Sequence, residues 1–322
     1  LWSSYYERWW WVNAFVCRCE TYPLGGRLRS MLRNQSALLN WGLRDYGNSN
    51  QLGLERTPED YVASMVSVFR EVRRVLKKDG VLWLNLGDSY AASGRSKGNG
   101  GSGPSSGKQT TNKGAYFQSE LNGKIPDGLK PKDLVGIPWR AAFALQADGW
   151  YLRSDIIWAK PNPMPESITD RCTKAHEYIF MLTKSSRYYY DAKAIMDPAV
   201  PCVVDYTGNQ KNNSVDPILQ ATRMKGRVVE TGEWKNKRTV WEIATQPYAG
   251  SHFATFPEEI PRLCILAGSR PGDVILDPFG GSGTTSKVAL ELGRKPVHID
   301  LTYHNLARKR MSVTPAMAGL MG

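Results

Sequence analysis

The sequence predicts a Rossmann-like α/β fold, in which helices cover both faces of a central, mostly parallel sheet. Two helix–strand units predict this fold class. An amphipathic helix over about residues 57–78 runs into the continuous apolar strand 81–86, a pattern typical of strands buried on both faces. Later, strand 274–276 passes through a glycine-rich turn into a helix over 284–292, and strand 296–299 follows. With 322 residues, 41% of them hydrophobic, the chain can form one large α/β domain with inserts.

The helix over 57–78 carries signals for both a start and a stop. Thr57 can cap its N-terminus and Pro58 suits its first turn, while Asp79 and Gly80 end it. One apolar stripe runs along it: Val62, Met65, Phe69, Val72 and Leu76. This stripe predicts that the helix packs against the sheet.

A polar run, Gly87-Asp88-Ser89-Tyr90, directly follows the strand 81–86. Sheets of α/β proteins place their chemistry beyond the carboxyl ends of the strands, so Asp88 is a candidate catalytic residue. The alternative is that Asp88 only shapes the turn.

The middle of the chain alternates between ordered and polar segments. Residues 93–132 consist largely of Gly, Ser, Asn and Lys, which cannot bury a core, so we predict a flexible insert there. A helix near 138–147, a strand over 152–158, a proline-rich loop and a strand over 177–182 follow.

A second insert, residues 197–239, has little apolar periodicity and more basic than acidic residues. Its basic side chains are candidate DNA contacts: Arg223, Lys225, Arg227, Lys235, Lys237 and Arg238. The alternative is an ordinary charged surface loop.

The glycine-rich turn is the most informative motif, and it predicts a nucleoside-type cofactor. Glycines such as Gly281 and Gly283 let the backbone approach a ligand, and Thr284 begins a helix whose free N–H groups point at it. The next strand leads to Asp300, a carboxylate placed to bind ribose hydroxyls.

The residues around the turn narrow the choice of cofactor. A P-loop needs Gly directly before Lys, whereas Ser286 precedes Lys287, and Asp277 would repel a pyrophosphate. An ammonium or a sulfonium would instead be attracted by Asp277, and Phe279 can face a cation. A tight glycine turn in an ordinary α/β protein is the alternative.

Composition restricts the partners and the kind of site. The net charge of +12 suits a polyanion, although charge alone supports only non-specific attraction. Five cysteines without a Cys-x-x-Cys pair argue against a disulfide framework and a zinc site, so we expect no metal. No run of 18 apolar residues exists, so we expect no membrane span and a cytoplasmic location.

From Trp41 onwards the chain resembles the DNA amino-methyltransferases in which the catalytic half precedes the cofactor motif. The resemblance rests on the order and spacing of several segments: 41–47, 86–90, 158–162, 174–178, 252–257 and 277–285. It implies S-adenosylmethionine as cofactor, double-stranded DNA as substrate, and a site-specific enzyme of bacteria or phages that methylates cytosine N4 or adenine N6. It also implies that Thr255 and Phe256, in the His-Phe-Ala-Thr-Phe-Pro segment, contact the cofactor.

The same resemblance implies an Asp/Ser/Asn-Pro-Pro-Tyr/Phe motif that binds the flipped base and its exocyclic amine. It should lie directly before Trp41, where the chain instead has Ala37-Leu38-Leu39-Asn40. We therefore expect weak or absent turnover, with cofactor binding partly retained.

Residues 1–40 form an anomalous N-terminal arm with many tryptophans and no strand alternation. We hypothesise that they come from a shifted reading frame. Residues 34–39 can be encoded as AAC CAG TCC GCC CTA CTG. Read one nucleotide later, these codons give Thr-Ser-Pro-Pro-Tyr, whose Ser slightly favours cytosine N4. An unusual amphipathic arm is the alternative.

Two other classes of function stay open: an RNA or protein methyltransferase of the same fold, and a DNA-binding relic without catalysis. The sequence also leaves open a homodimer and a restriction endonuclease partner.

Overall fold

A computed structural model describes residues 12–20, 52–53, 55–91, 125, 128–163, 165–166, 168–199, 203–205, 228–230, 232–246, 256–300 and 304–312. The helices are α1 (Pro58–Val75), α2 (Ile137–Ala147), α3 (Glu259–Gly268), α4 (Thr284–Glu291) and α5 (His304–Ser312). The strands are β1 (Val12–Cys19), β2 (Leu76–Leu86), β3 (Tyr151–Ala159), β4 (His176–Thr183), β5 (Asp197–Pro198), β6 (Val203–Asp205), β7 (Val228–Glu230), β8 (Trp234–Lys235), β9 (Val240–Glu242), β10 (Val274–Asp277) and β11 (Lys295–His298).

Seven of these strands form one mixed sheet in the order β11-β10-β1-β2-β4-β3-β9. Strands β10 and β11 pair in parallel, as do β3 and β9, whereas β1 and β4 run antiparallel to both of their neighbours. The prediction of an α/β fold is confirmed. The expectation of a mostly parallel sheet needs a correction: most strands point the same way, but most neighbouring pairs are antiparallel because β1 and β4 lie between them.

Helices cover both faces of this sheet. Ala14 and Val16 of β1 belong to one hydrophobic cluster with Phe69 of α1 and Leu145 of α2. Cys17 lies on the opposite face, where its Sγ is 3.7 Å from the carbonyl oxygen of Cys264 in α3. Successive side chains of a strand point to opposite faces, so β1 is buried from both sides.

Strand β1 lies within residues 1–40, the segment interpreted as an anomalous arm because it shows no strand alternation. Residues 13–19 are all buried, and β1 forms ladders with β2 on one side and β10 on the other. A strand buried on both faces needs no polar alternation, so the absence of alternation did not exclude it.

The first helix is shorter than predicted. It ends at Val75, because Leu76 has extended backbone angles and already belongs to β2. Thr57 caps its N-terminus as predicted, with its side chain accepting a hydrogen bond from the Asp60 N–H.

Residues 191–238 form a separate compact unit. Within it β5 pairs with β8 and β6 pairs with β7, both antiparallel. The predicted insert over 197–239 falls almost wholly within this unit. Most of the other predicted insert, 93–132, lies outside the described residues.

Candidate active site

The glycine-rich turn connects β10 to α4 at the carboxyl edge of the sheet. Gly281 has φ 47° and Gly283 has φ 82°, a left-handed conformation that glycine adopts without steric cost. The N–H of Gly283 donates to the Gly280 carbonyl at 2.8 Å, which closes the turn directly before Thr284 begins the helix. The predicted strand, turn and helix are therefore present.

Two carboxylates hold this turn, one from each of two neighbouring strands. Oδ1 of Asp277 accepts a hydrogen bond from the Phe279 N–H at 3.0 Å. Oδ2 of Asp300 accepts one from the Gly281 N–H at 3.0 Å. Both side chains are buried. Part of each carboxylate therefore shapes the loop, and their predicted contacts with a cofactor stay predictions.

Two neighbours pack so closely behind the turn that only glycine fits. A Cβ atom at Gly280 would lie 2.2 Å from the ring of His298. One at Gly283 would lie 3.0 Å from the Cβ of Ala307 in α5. The turn is thus held from behind by β11 and α5.

Substitution of Gly283 by alanine is expected to destabilise the turn. The left-handed conformation costs an L-residue about 1–2 kcal/mol, and the contact with Ala307 adds to that cost. Gly272→Ala is the matched control, because Gly272 has φ 83° and nothing within 4 Å of the added Cβ. Chemical denaturation should show a larger loss of stability for Gly283→Ala than for Gly272→Ala. Equal losses would contradict the proposed steric constraint at the turn.

Other predicted cofactor residues have structural contacts of their own. The Phe279 ring is buried and packs edge-to-face on Phe69, with centroids 6.1 Å apart. The Phe256 ring lies 5.2 Å from that of Phe15, and the buried Thr284 accepts a hydrogen bond from Arg310. Thr255 lies outside the described residues.

The electrostatic state of Asp277 is unusual. Its burial raises its pKa to about 7, against the lowering effects of the Thr285 hydroxyl and the Phe279 N–H. The negative charge of Asp300 raises the pKa further. An incoming cation would favour the ionised form, so binding of a cation beside Asp277 would release a proton.

Asp88 lies at the same edge, because β2 and β10 are both antiparallel to β1 and so point the same way. Its Oδ1 accepts hydrogen bonds from the N–H groups of Ser89, Gly136 and Ile137, at 2.9, 2.9 and 3.1 Å. The last two are the first N–H groups of α2. These contacts give Asp88 the role of a remote helix cap, and its catalytic role stays a prediction.

The capping role of Asp88 predicts different stabilities for its alanine and asparagine variants. Asp88→Ala is expected to lower the free energy of unfolding by about 2 kcal/mol, because buried N–H groups at a helix start lose their acceptor. Asp88→Asn keeps an acceptor oxygen and should retain most of the stability. Thermal and urea denaturation of both variants check this. Equal losses would show that the charge, not the acceptor, matters.

A buried polar chain lies beside Asp88, formed by Asn85 and by residues of the segments 158–162 and 174–178 that carry the resemblance. Asn85 of β2 donates to Glu177 Oε2 at 3.1 Å, and Lys160 forms an ion pair with the same carboxylate. Lys174 donates to the Asp88 carbonyl at 3.0 Å, and burial lowers the pKa of Lys174 to about 8. Asn85 was not singled out from the sequence, although a polar residue inside an otherwise apolar strand is a signal that could have identified it.

The predicted DNA contacts are only partly described. Lys235 and Arg238 are exposed, while Lys237 is paired with Asp197 at 2.7 Å. Arg223, Lys225 and Arg227 lie outside the described residues, as do Ala37, Leu38, Leu39 and Asn40. Among the residues that the structure describes, no helix is long and apolar enough to span a bilayer, and no group of three His, Cys, Asp or Glu side chains could hold a metal.

Comparison with known proteins decides the family. The DNA methylase family matches residues 26–309, which is most of the chain. The chain belongs to the DNA methylase family. Type II methyltransferase M.SmaI of Serratia marcescens is 50% identical over 273 residues, covering 84% of this chain and 80% of that protein. Type II methyltransferase M.Cfr9I of Citrobacter freundii is 45% identical over 273 residues, covering 84% and 78%.

A solved structure agrees with the fold. PvuII DNA methyltransferase (cytosine-N4-specific) has 17% sequence identity and a TM-score of 0.52, covering 85% of this chain and 76% of that one. At this identity the likeness bears on the fold alone. As a DNA methylase related to Type II enzymes, the chain is a site-specific methyltransferase by family, and S-adenosylmethionine is confirmed as the family's methyl donor. The resemblance drawn from the sequence motifs is confirmed.

Proposed function

We propose that this chain binds S-adenosylmethionine at its glycine-rich turn, that the reaction of its kind transfers the methyl group to an exocyclic amine of duplex DNA, with cytosine N4 slightly preferred to adenine N6, and that this chain itself has weak or absent turnover. The observation that carries the proposal is the turn itself. It follows β10 at the carboxyl edge of the sheet, is held by Asp277 and Asp300, and leads directly into the N-terminus of α4. Such a turn suits a ligand that must lie close to the backbone.

The residues of the turn fit this cofactor chemically. When bound, the cofactor supplies an electrophilic methyl group on a sulfonium. The ionised Asp277 carboxylate would stabilise a positive charge nearby, and Asp300, at the end of the next strand, would accept hydrogen bonds from ribose. Neither role requires a metal.

Methyl transfer also needs groups that orient the target amine, and residues 37–40 do not offer them. We therefore infer that residues 37–40, as they stand, do not act as the family's catalytic segment. The carboxyl end of β1 does not take that role either, because β1 is antiparallel to β2 and β10 and ends at the edge opposite the glycine-rich turn.

The preference for cytosine N4 rests on the shifted reading, in which Ser precedes the Pro-Pro-Tyr. A cytoplasmic location in a bacterial or phage-infected cell, a homodimer and a restriction endonuclease partner remain proposals. A second function, a DNA-binding relic, is favoured by one observation: the residues directly before Trp41 are Ala37-Leu38-Leu39-Asn40.

The test is to incubate the purified chain with unmethylated duplex DNA and S-adenosylmethionine, digest the DNA, and analyse the nucleosides by mass spectrometry. N4-methylcytosine or N6-methyladenine would establish catalysis and the target base. No modified base, together with intact cofactor and duplex binding, would support the relic. Absence of cofactor binding by calorimetry would refute the proposal.

We predict separately that the basic insert over residues 197–239 contacts the phosphates of duplex DNA. Lys235→Gln is expected to reduce the slope of log K against log salt by about 0.9, since one phosphate contact is lost. Lys295→Gln is the control, because Lys295 is exposed at the amino edge of β11, away from the cofactor turn. Fluorescence anisotropy over a salt series measures both slopes. An unchanged slope for Lys235→Gln would exclude that side chain as a phosphate contact.

A further inference from the structure

Arg310 of α5 reaches the cofactor turn from behind. Its Nη1 donates to Ser282 Oγ at 3.0 Å and to Thr284 Oγ1 at 2.8 Å. Both hydroxyl-bearing residues are buried, and the Arg310 side chain is only 16% exposed. One guanidinium therefore joins the two polar side chains that flank Gly283.

The placement of this cation is electrostatically unfavourable by itself. Thr284 is the first residue of α4, and the N-terminus of a helix carries a partial positive charge that disfavours a nearby cation. Glu258 compensates: its Oε1 lies 3.1 Å from Arg310 Nη2 and 2.8 Å from Lys287 Nζ. Burial alone would raise the pKa of Glu258, but Lys287 and Arg310 bring it below its ordinary value.

The cluster of Arg310, Glu258 and Lys287 connects three parts of the site. Glu258 directly follows Phe256 and Pro257, in the segment predicted to enclose the cofactor. Lys287 is in α4 and Arg310 in α5. A structural ion pair alone would not need the two additional hydrogen bonds to the turn.

We propose that Arg310 is a positioning residue that orders the glycine-rich turn for S-adenosylmethionine, with Glu258 holding its guanidinium in place. This inference rests on the proposed cofactor site and deepens it. The planar guanidinium of Arg310 binds two hydroxyls and a carboxylate at once, which a lysine ammonium cannot reproduce in the same geometry. The order of the turn and its affinity for the cofactor should therefore both depend on Arg310.

The matched controls come from the same helices. Arg262 pairs with Glu291 at 2.7 Å and so links α3 to α4 through an ion pair without touching the turn. Arg308 is exposed on α5, two residues from Arg310. We compare Arg310→Ala and Arg310→Lys with Arg262→Ala and Arg308→Ala.

Hydrogen exchange of the peptide covering residues 278–290, followed by mass spectrometry, reports the order of the turn without any ligand. Arg310→Ala is expected to speed exchange there at least tenfold, Arg310→Lys less, and both controls by less than twofold. Calorimetry with S-adenosylmethionine should show a tenfold or greater loss of affinity for Arg310→Ala and partial recovery for Arg310→Lys.

The two readouts separate the possible failures. Unchanged exchange in Arg310→Ala would overturn the positioning role. Equal increases in Arg310→Ala and Arg262→Ala would overturn it as well, because they would show general loosening of the helices. If the exchange pattern is as expected but the unmodified chain does not bind S-adenosylmethionine, Arg310 orders the turn and the proposed cofactor function fails.

Discussion

Purified chain carrying Ala37-Leu38-Leu39-Asn40 is expected to leave duplex DNA unmethylated, while a frame-restored protein methylates it. The expected difference is about a thousandfold or more, because the missing groups orient the amine for attack, and orientation supplies much of the rate of such transfers. In the frame-restored gene the codons are read one nucleotide later up to Tyr, and the five nucleotides left between the Tyr and Trp41 codons are removed, so that Thr-Ser-Pro-Pro-Tyr directly precedes Trp41 in frame. Nucleoside mass spectrometry measures both proteins at equal concentration.

Two controls sharpen this comparison. The first control is to resequence the 5′ end of the gene. An intact run of in-frame codons would refute the hypothesis that residues 1–40 come from a shifted reading frame. The chain with Ala37→Ser, Leu38→Pro, Leu39→Pro and Asn40→Tyr is the second control. It should recover little activity, because the residues before position 37 would still be read in the shifted frame. Methylated bases produced by the unaltered chain would contradict the prediction.

Replacement of Asp277 by asparagine is expected to stabilise the cofactor-free protein at high pH and to weaken cofactor binding. Burial raises the pKa of Asp277 from 3.8 to about 7. Its contribution to the free energy of unfolding is therefore fully present below pH 3.8 and is lost as the pH rises through 7. The asparagine side chain would carry no charge to bury, so the gain in stability of Asp277→Asn over the unmodified protein should grow as the pH rises from 3.8 to about 7 and should reach on the order of 4 kcal/mol above that range.

Cofactor affinity should change in the opposite direction. Loss of a charge-assisted contact worth about 1.5–3 kcal/mol predicts roughly tenfold to a hundredfold weaker binding of S-adenosylmethionine. In the unmodified protein, affinity should rise from about pH 6 to pH 7 as Asp277 ionises, whereas Asp277→Asn should lose this dependence. Calorimetry at several pH values measures both.

The matched control for Asp277 lies at the other end of the same strand. Asp273 directly precedes β10 and pairs with Arg18 at 3.3 Å, so Asp273→Asn removes a carboxylate far from the turn. S-adenosylhomocysteine lacks the sulfonium charge of S-adenosylmethionine but keeps the ammonium, so it distinguishes between these two cations as the partner of Asp277. If Asp277 faces the ammonium, Asp277→Asn should weaken the binding of both S-adenosylmethionine and S-adenosylhomocysteine. Unchanged affinity of Asp277→Asn for both ligands would exclude Asp277 from cofactor binding.

Local patterns predicted the longer strands and helices around the two helix–strand units and in the middle of the chain to within about five residues, but not α3, α5 or the short strands β5–β9. Strand β4 was expected at 177–182 and spans 176–183, and α2 was expected near 138–147 and spans 137–147. These patterns succeed because apolar periodicity, caps and glycine turns act over neighbouring residues. The prediction for residues 1–40 missed β1, since burial on both faces removes the alternation that marks a half-buried strand.

The residues of the candidate site likewise include some that the sequence could identify and others whose role only the structure shows. The glycine-rich turn, Asp277 and Asp300 could be recognised from the sequence, because strand, turn and helix follow one another along the chain. The role of Asp88 as the cap of α2 could not, because its partner Gly136 is 48 residues away. Arg310 gave no signal either, since its contacts with the turn exist only once α5 packs behind Gly283.

The sequence by itself determined the class of cofactor and the family, because both depend on short motifs whose chemistry is local. Only the tertiary structure decided the direction of β1, the caps and the contacts behind the turn. These depend on which distant segments pack together, and burial sets that choice collectively over the whole sheet. The direction of β1 in turn places the carboxyl end of this strand at the edge opposite Asp277 and the glycine-rich turn.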